Sequence, residues 1–259
     1  MQPYPVSISL SSYGADLVRQ YGQLHFIELL ADAGVDCIEL REELFDTPPD
    51  VPVFKQALAQ SGLECVYSSP LELWTRQGGP DPRLPHTLAS ARALGAVALK
   101  VSLGHLRPDC DLAALQPWLK AGDPLLLIEN DQTAQGGRLD ALLSFFQRAQ
   151  QAELPVGMTF DIGNWQWQGE SATQAAHQLG QWVRYVHCKG VERNRDGRLV
   201  AVPPQPDELA AWERLFRHFP PGVPRAAEYP LVGADLKAVT HLHACALARL
   251  GGHPEVSHA

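Results

Sequence analysis

The chain lacks a paired-cysteine framework. Its five cysteines are an odd number, and no two of them stand in a CxxC spacing. Cys37, Cys65 and Cys188 fall inside apolar, strand-like runs, which reads as reduced, buried thiols of a cytoplasmic protein. A basic balance is also missing. The net charge of −8 argues against a nucleic-acid partner or an anionic membrane surface, because phosphate binding needs a basic patch. The opening "MQPYPVSISLSSYG" has no basic segment followed by an apolar run, so no signal peptide is expected. No apolar run is long enough to span a bilayer. There is no GxGxxG turn after the first apolar run, where "SLSSYGADL" stands instead. No linker, charge run or low-complexity segment divides the chain. The expectation is one domain over residues 1–252, with "HPEVSHA" (253–259) as a frayed tail.

What is present is alternation. With 45% hydrophobic and 19% charged residues, 259 residues can bury a sizeable core. Eight short apolar runs read as strands: 5–11, 37–41, 63–69, 96–103, 124–130, 156–162, 183–190 and 225–231. Between them, apolar residues recur at three- and four-residue spacing. This predicts helices over 16–34, 53–63, 87–96, 111–122, 138–153, 172–182, 207–219 and 235–251. Strict strand–helix alternation implies a parallel sheet covered by helices. About eight such units in about 250 residues fit a closed (β/α)8 TIM barrel of the α/β class.

In such a barrel, functional groups come from the C-terminal ends of the strands. The last four strand candidates end in Ile128-Glu129-Asn130-Asp131, Phe160-Asp161, Val186-His187-Cys188-Lys189 and Ala227-Glu228-Tyr229. Three carboxylates and one imidazole therefore stand at equivalent places on successive strands. Each has an ordinary reading alone. Asp161 is a good helix cap, and a single histidine after an apolar run is commonly a core residue held by one hydrogen bond. Together they converge, and buried carboxylates need a positive partner. A divalent cation supplies one. An oxygen-rich set with one nitrogen suits Mn2+, Mg2+ or Co2+ and admits Zn2+; no set of three Cys or three His argues for zinc.

In the order and spacing of "LLIEND", "TFDIGNWQWQG", "RYVHCKG" and "AAEYPL", the chain resembles the xylose-isomerase-like barrel superfamily across nearly its whole length. That group holds sugar isomerases, ketose 3-epimerases, inosose and dehydroshikimate dehydratases and the apurinic endonuclease. The resemblance implies Glu129, Asp161, His187 and Glu228 as metal ligands. It also departs from the family at two points. Ketose epimerases usually carry a histidine three residues after the ligand aspartate, where this chain has Asn164. The endonuclease branch needs extra histidines on its second and third strands, which here end in Glu39-Leu40-Arg41 and Tyr67-Ser68-Ser69.

The chemistry implied is a metal-dependent isomerase or epimerase of a sugar, sugar phosphate or keto-inositol. Proton transfer would pass through a metal-stabilised enediolate, with Glu129 and Glu228 as the acid–base pair. A metal-dependent dehydratase of a keto-polyol is the alternative, favoured by Trp165 shortly after Asp161 and by Asn164. A non-catalytic sugar-binding barrel comes third. Candidate substrate contacts are Asn164, Lys189, Arg193, Glu39, Arg41 and Trp165, with Trp74 and Trp167 as further stacking surfaces. Arg193 is taken from the resemblance, as a residue six places after the ligand histidine. "PLELWTRQGGPDPRLP" (70–85) is expected as a lid and "NRDGR" (194–198) as a hairpin tip over the site. Homo-oligomers, common among such barrels, are expected by analogy.

Overall fold

Runs such as Leu125–Glu129 and Val156–Asp161 are buried along both faces after their first residue. A strand with two apolar faces needs neighbours on one side and helices on the other, which is the situation of a parallel barrel strand. The computed structural model of the protein describes residues 4–251. The tail expected over 253–259 lies outside the described residues.

In chain order the elements are β1 (Val6–Ser9), α1 (Ala15–Tyr21), α2 (His25–Asp32), β2 (Cys37–Arg41), α3 (Val51–Ser61), β3 (Glu64–Trp74), α4 (Leu84–Leu94), β4 (Ala98–Gly104), β5 (Leu125–Glu129), α5 (Leu139–Gln151), β6 (Val156–Asp161), α6 (Ala172–Leu179), β7 (Val183–Cys188), β8 (Gly190–Arg193), β9 (Leu199–Val202), α7 (Pro206–Phe216), β10 (Arg225–Ala227) and α8 (Leu236–Leu247). The barrel closes in the order β1-β10-β7-β6-β5-β4-β3-β2, while β8 and β9 form a separate antiparallel hairpin. The protein is thus a single-domain (β/α)8 barrel. Among the described residues, no helix is long and apolar enough to cross a membrane.

Local chemistry sets the helix ends. The side chains of Asp50, Ser171 and Asp235 accept hydrogen bonds from the backbone of Val53, Gln174 and Ala238, capping α3, α6 and α8. On α5, Leu139, Leu142, Phe145, Phe146 and Ala149 make one buried stripe against the barrel.

Three expectations need correction. The helix over 16–34 is two helices, because Gly22 ends α1 with a φ of 76°. The helix over 111–122 is a single 3-10 turn at Leu112–Leu115; Pro117 has no backbone N–H with which to continue it. The loop expected over 70–85 is shorter, because its first five residues belong to β3 and its last two to α4. β3 continues to Trp74, which bridges to Pro80 and leaves a short turn between them.

The inside of the barrel is layered. Cys37, Val66, Ala98, Leu127, Tyr185 and Ala226 form one apolar interior cluster. Side chains two residues apart on a strand share a face. The next inward layer is therefore Glu39, Ser68, Lys100, Glu129, His187 and Glu228. An apolar floor carries a charged ring at the C-terminal mouth. Leu127 is 2% exposed in that floor. Leu127→Ala is expected to lower unfolding stability by about 2–5 kcal/mol. Denaturant unfolding should show a lower midpoint with an unchanged slope.

Candidate metal centre

The arc β5-β6-β7-β10 brings Glu129, Asp161, His187 and Glu228 together. One ligand atom from each lies within 4.8 Å of all the others. His187 is fully buried, and its Nε2 lies 2.6 Å from Glu39 Oε2. With Nε2–H donating to Glu39, Nδ1 presents its lone pair to the cluster. Glu129 Oε1 stands 2.8 Å from Nδ1 and Glu228 Oε2 stands 3.1 Å from it. Burial alone would lower the affinity of this ring for a proton, but Glu228, Glu39 and Glu129 around it raise its pKa well above the usual histidine value. The site therefore demands positive charge at Nδ1.

Asp161 serves two purposes, one per oxygen. Its Oδ1 accepts from the backbone N–H groups of Gly163 and Asn164, both at 2.9 Å, and so caps the turn that follows. Its Oδ2 is buried without a hydrogen-bond partner. Lys189 Nζ lies 2.7 Å from Oδ2, a charge pair without hydrogen-bond alignment. His187 Nδ1 is likewise buried and unpartnered. Two orphaned buried atoms aimed into one cluster of carboxylates fit a divalent cation. So does the arrangement behind His187, where a carboxylate fixes the far nitrogen of a ligating imidazole.

Three cations frame the cluster. Lys100 holds Glu129 Oε2. Lys189 Nζ hydrogen-bonds Glu228 Oε2 at 2.8 Å, and Arg41 reaches Glu228 Oε1 at 3.0 Å. Burial opposes charge on Lys100, yet Glu129 and Glu39 raise its pKa, so it stays protonated. Burial would raise the Glu39 carboxyl, but His187 and Lys100 outweigh it and bring it down to about 2.

The residues expected to touch substrate divide into two groups. Lys189 and Arg41 join the cluster, as does Glu39, but Glu39 is fully buried behind His187 and faces no opening. The other three do not face the cluster. The Asn164 amide donates to the Asn130 carbonyl at 2.9 Å and accepts from Gln132 at 3.2 Å. Trp165 is fully buried, 5.4 Å from the Phe160 ring. The Trp74 ring is also fully buried. Arg193 lies on the exposed β8–β9 hairpin and donates to Gly197 O at 2.7 Å, so its guanidinium is used within its own turn.

Two functional neighbours had no reading in the sequence. Asn130 clamps Asp161 across the strands, accepting from its backbone N–H at 2.8 Å and donating to its carbonyl at 2.9 Å. Lys100 is the other. A lysine inside the apolar run "AVALKVSL" was the available signal, because lysine is almost never fully buried without a partner.

No known family profile matches the sequence, and no curated protein does. Solved structures do match the fold. The chain is similar to a D-psicose 3-epimerase from Clostridium cellulolyticum H10, solved with D-tagatose, at a TM-score of 0.70 and 11% identity over 98% of this chain and 100% of that one. It is similar to a probable 3-DHS dehydratase of Bacillus anthracis at a TM-score of 0.63 and 14% identity, covering 94% of this chain and 98% of that one. It is also similar to a xylose isomerase-like TIM barrel protein of Mycobacterium smegmatis, solved in complex with magnesium. There the TM-score is 0.58 and the identity 14%, over 96% of this chain and 97% of that one.

Two measurements check the centre. Glu39→Gln keeps a hydrogen-bonding group behind His187 but removes its charge, and should weaken Mn2+ binding about 10- to 100-fold in titration calorimetry. Because a proton and a cation compete for Nδ1, Mn2+ affinity should rise with pH. Calorimetry in buffers of different ionisation enthalpy should register proton release on binding.

Proposed function

Starting from a chain with the fold of the xylose-isomerase-like barrels, we propose that it is a divalent-metal-dependent isomerase or epimerase of a sugar or related keto-polyol. The observation that carries this reading is the placement of the two glutamates. Glu129 and Glu228 stand at opposite ends of the arc β5-β6-β7-β10, and each directs one oxygen to His187 Nδ1. A cation held by Glu129, Asp161, His187 and Glu228 supplies Lewis-acid stabilisation of the oxyanion that develops beside a breaking C–H bond.

The protein's own groups do the rest. Glu129 and Glu228 approach a bound carbon from two sides, so one takes the proton and the other returns it. Lys100 fixes Glu129, while Arg41 and Lys189 fix Glu228, and neither base can swing away from the reacting carbon. Lys189 and Arg41 place positive charge beside the developing oxyanion. Floor residues such as Leu127 and Tyr185 keep water from entering below. The epimerase and isomerase likeness of the fold, and the donor set suited to Mn2+, Mg2+ or Co2+, support this reading.

Proton NMR in D2O tests it. The protein is loaded with Mg2+ and offered ketoses, keto-inositols and dehydroshikimate. The expected result is metal-dependent deuterium entry at one carbon with the skeleton intact, lost in Asp161→Asn along with bound metal. New alkene signals with loss of water would instead assign a dehydratase. Silence across the panel would overturn both.

A further inference from the structure

The metal ligands occupy one half of the barrel ring, and the opposite half ends in β1, β2, β3 and β4. On the β3–β4 side the sequence places a second polar group that the proposed chemistry does not use. β3 shifts register between Ser68 and Glu72, after which Glu72 pairs with Ser102 and Trp74 with Gly104. Ser102 lies two residues beyond Lys100 on β4. Glu72 therefore stands one layer above the charged ring, at the mouth. Gln135, from the loop after β5, donates to Glu72 Oε1 at 2.8 Å. His105, from the loop after β4, has its Nε2 3.7 Å from Glu72 Oε2. That gap is too long for a hydrogen bond.

The backbone that holds this group is rigid. Gly104 has a φ of +68°, and a Cβ there would lie 2.5 Å from the Trp74 carbonyl and 2.7 Å from Glu72 Cβ. The His105 N–H donates to the same Trp74 carbonyl at 2.8 Å. In the β5 loop, Asp131 Oδ1 accepts from the Thr133 N–H at 2.8 Å, and a Cβ on Gly137 would lie 2.3 Å from the Asp131 carbonyl. Glu72 and His105 nonetheless keep side-chain exposures of 34% and 24%. They are fixed groups with open valences at the entrance.

We infer that the Glu72–His105–Gln135 rim is a specificity site that takes the uncharged, hydroxyl-bearing end of the substrate and rejects a phosphate or carboxylate there. This rests on the proposed reaction for its substrate class. The argument is donor counting. Glu72 Oε2 is a free acceptor with no donor assigned to it. A hydroxyl has a proton to give and a lone pair for a neighbouring N–H, and it can bridge Glu72 Oε2 and His105 Nε2. An ionised phosphate has no proton for the carboxylate and brings like charge to it. A substrate anchored at the four ligands and extending over β3 and β4 meets this rim with its far end.

The test compares binding of D-ribulose and D-ribulose 5-phosphate to the Mg2+-loaded protein by ligand-observed NMR titration. Wild type should bind the uncharged ketose more tightly. Glu72→Gln keeps the shape but removes the charge, and should narrow that preference on the order of tenfold. His105→Ala should weaken D-ribulose in both backgrounds. A preference untouched by Glu72→Gln, a wild type that favours the phosphate ester, or one that binds neither ligand would overturn the inference. Melting temperature separates a folding defect, which would weaken both ligands alike and leave their ratio in place. Deuterium exchange judges the reaction separately. Exchange with an unmoved ratio sinks the rim alone, and a moved ratio without exchange sinks the reaction alone.

Discussion

The structure depends on how negative charge is held inside an apolar barrel. Glu39, Glu129, Asp161 and Glu228 stand around one imidazole, above a floor of Leu127, Val66 and Tyr185. Unpaired, such a group would not fold, since each ionised carboxylate would carry a large desolvation penalty. Arg41, Lys100 and Lys189 answer part of it. The remaining demand converges on His187 Nδ1 and Asp161 Oδ2, the two buried atoms of the cluster without hydrogen-bond partners. A proton on His187 balances the ring, and a metal cation at the four ligands would take its place.

Much of this was legible in the sequence because barrels translate chain order into ring order. Strand–helix alternation implied the fold, and the polar groups near the C-terminal ends of the late apolar runs marked the cluster. Asp161 Oδ1 caps the following turn while Oδ2 faces the cluster, and a one-letter code has no means of separating the two oxygens. Lys100 stands apart from the strand ends that mark the other groups of the cluster. It sits mid-strand, two residues above Ala98 of the floor. Arg193 and Trp165 were placed by motif distance alone. The hairpin after β7 carries Arg193 outward, and the turn capped by Asp161 folds Trp165 onto Phe160. The loop over 70–85 is shorter than expected because a β-bulge lets β3 run on through Leu71, Leu73 and Trp74, and alternation rules do not foresee a register shift.

Asn130 illustrates how a parallel barrel positions a ligand without spending a charge. Its amide closes a two-point clamp on the backbone of Asp161, so the carboxylate is set by main-chain geometry. Asn164 extends the same ladder to the Asn130 carbonyl. Three neighbouring residues therefore tie β5 to the turn after β6, and the candidate ligand Asp161 is held from behind as His187 is held by Glu39. Ligands pre-aligned in this way lose little freedom on binding, and the ordering cost is met during folding.

The framing of the two glutamates is unequal. Glu129 is restrained by one ammonium group, whereas Glu228 is shared between an ammonium and a guanidinium. The more heavily countered carboxylate is the weaker base. In a reaction that interconverts two mirror-related centres through a planar carbanion, the barrier is then lopsided. In the proposed reaction, abstraction from the face served by Glu228 would be the slower half-reaction, and a deuterium label would retard one direction of interconversion more than the other. The equilibrium between the two free species is untouched, because a catalyst lowers the same barrier in both directions. Three cations shared unequally between two carboxylates would thus give the barrel a kinetic polarity that its nearly symmetric ring of strands does not have.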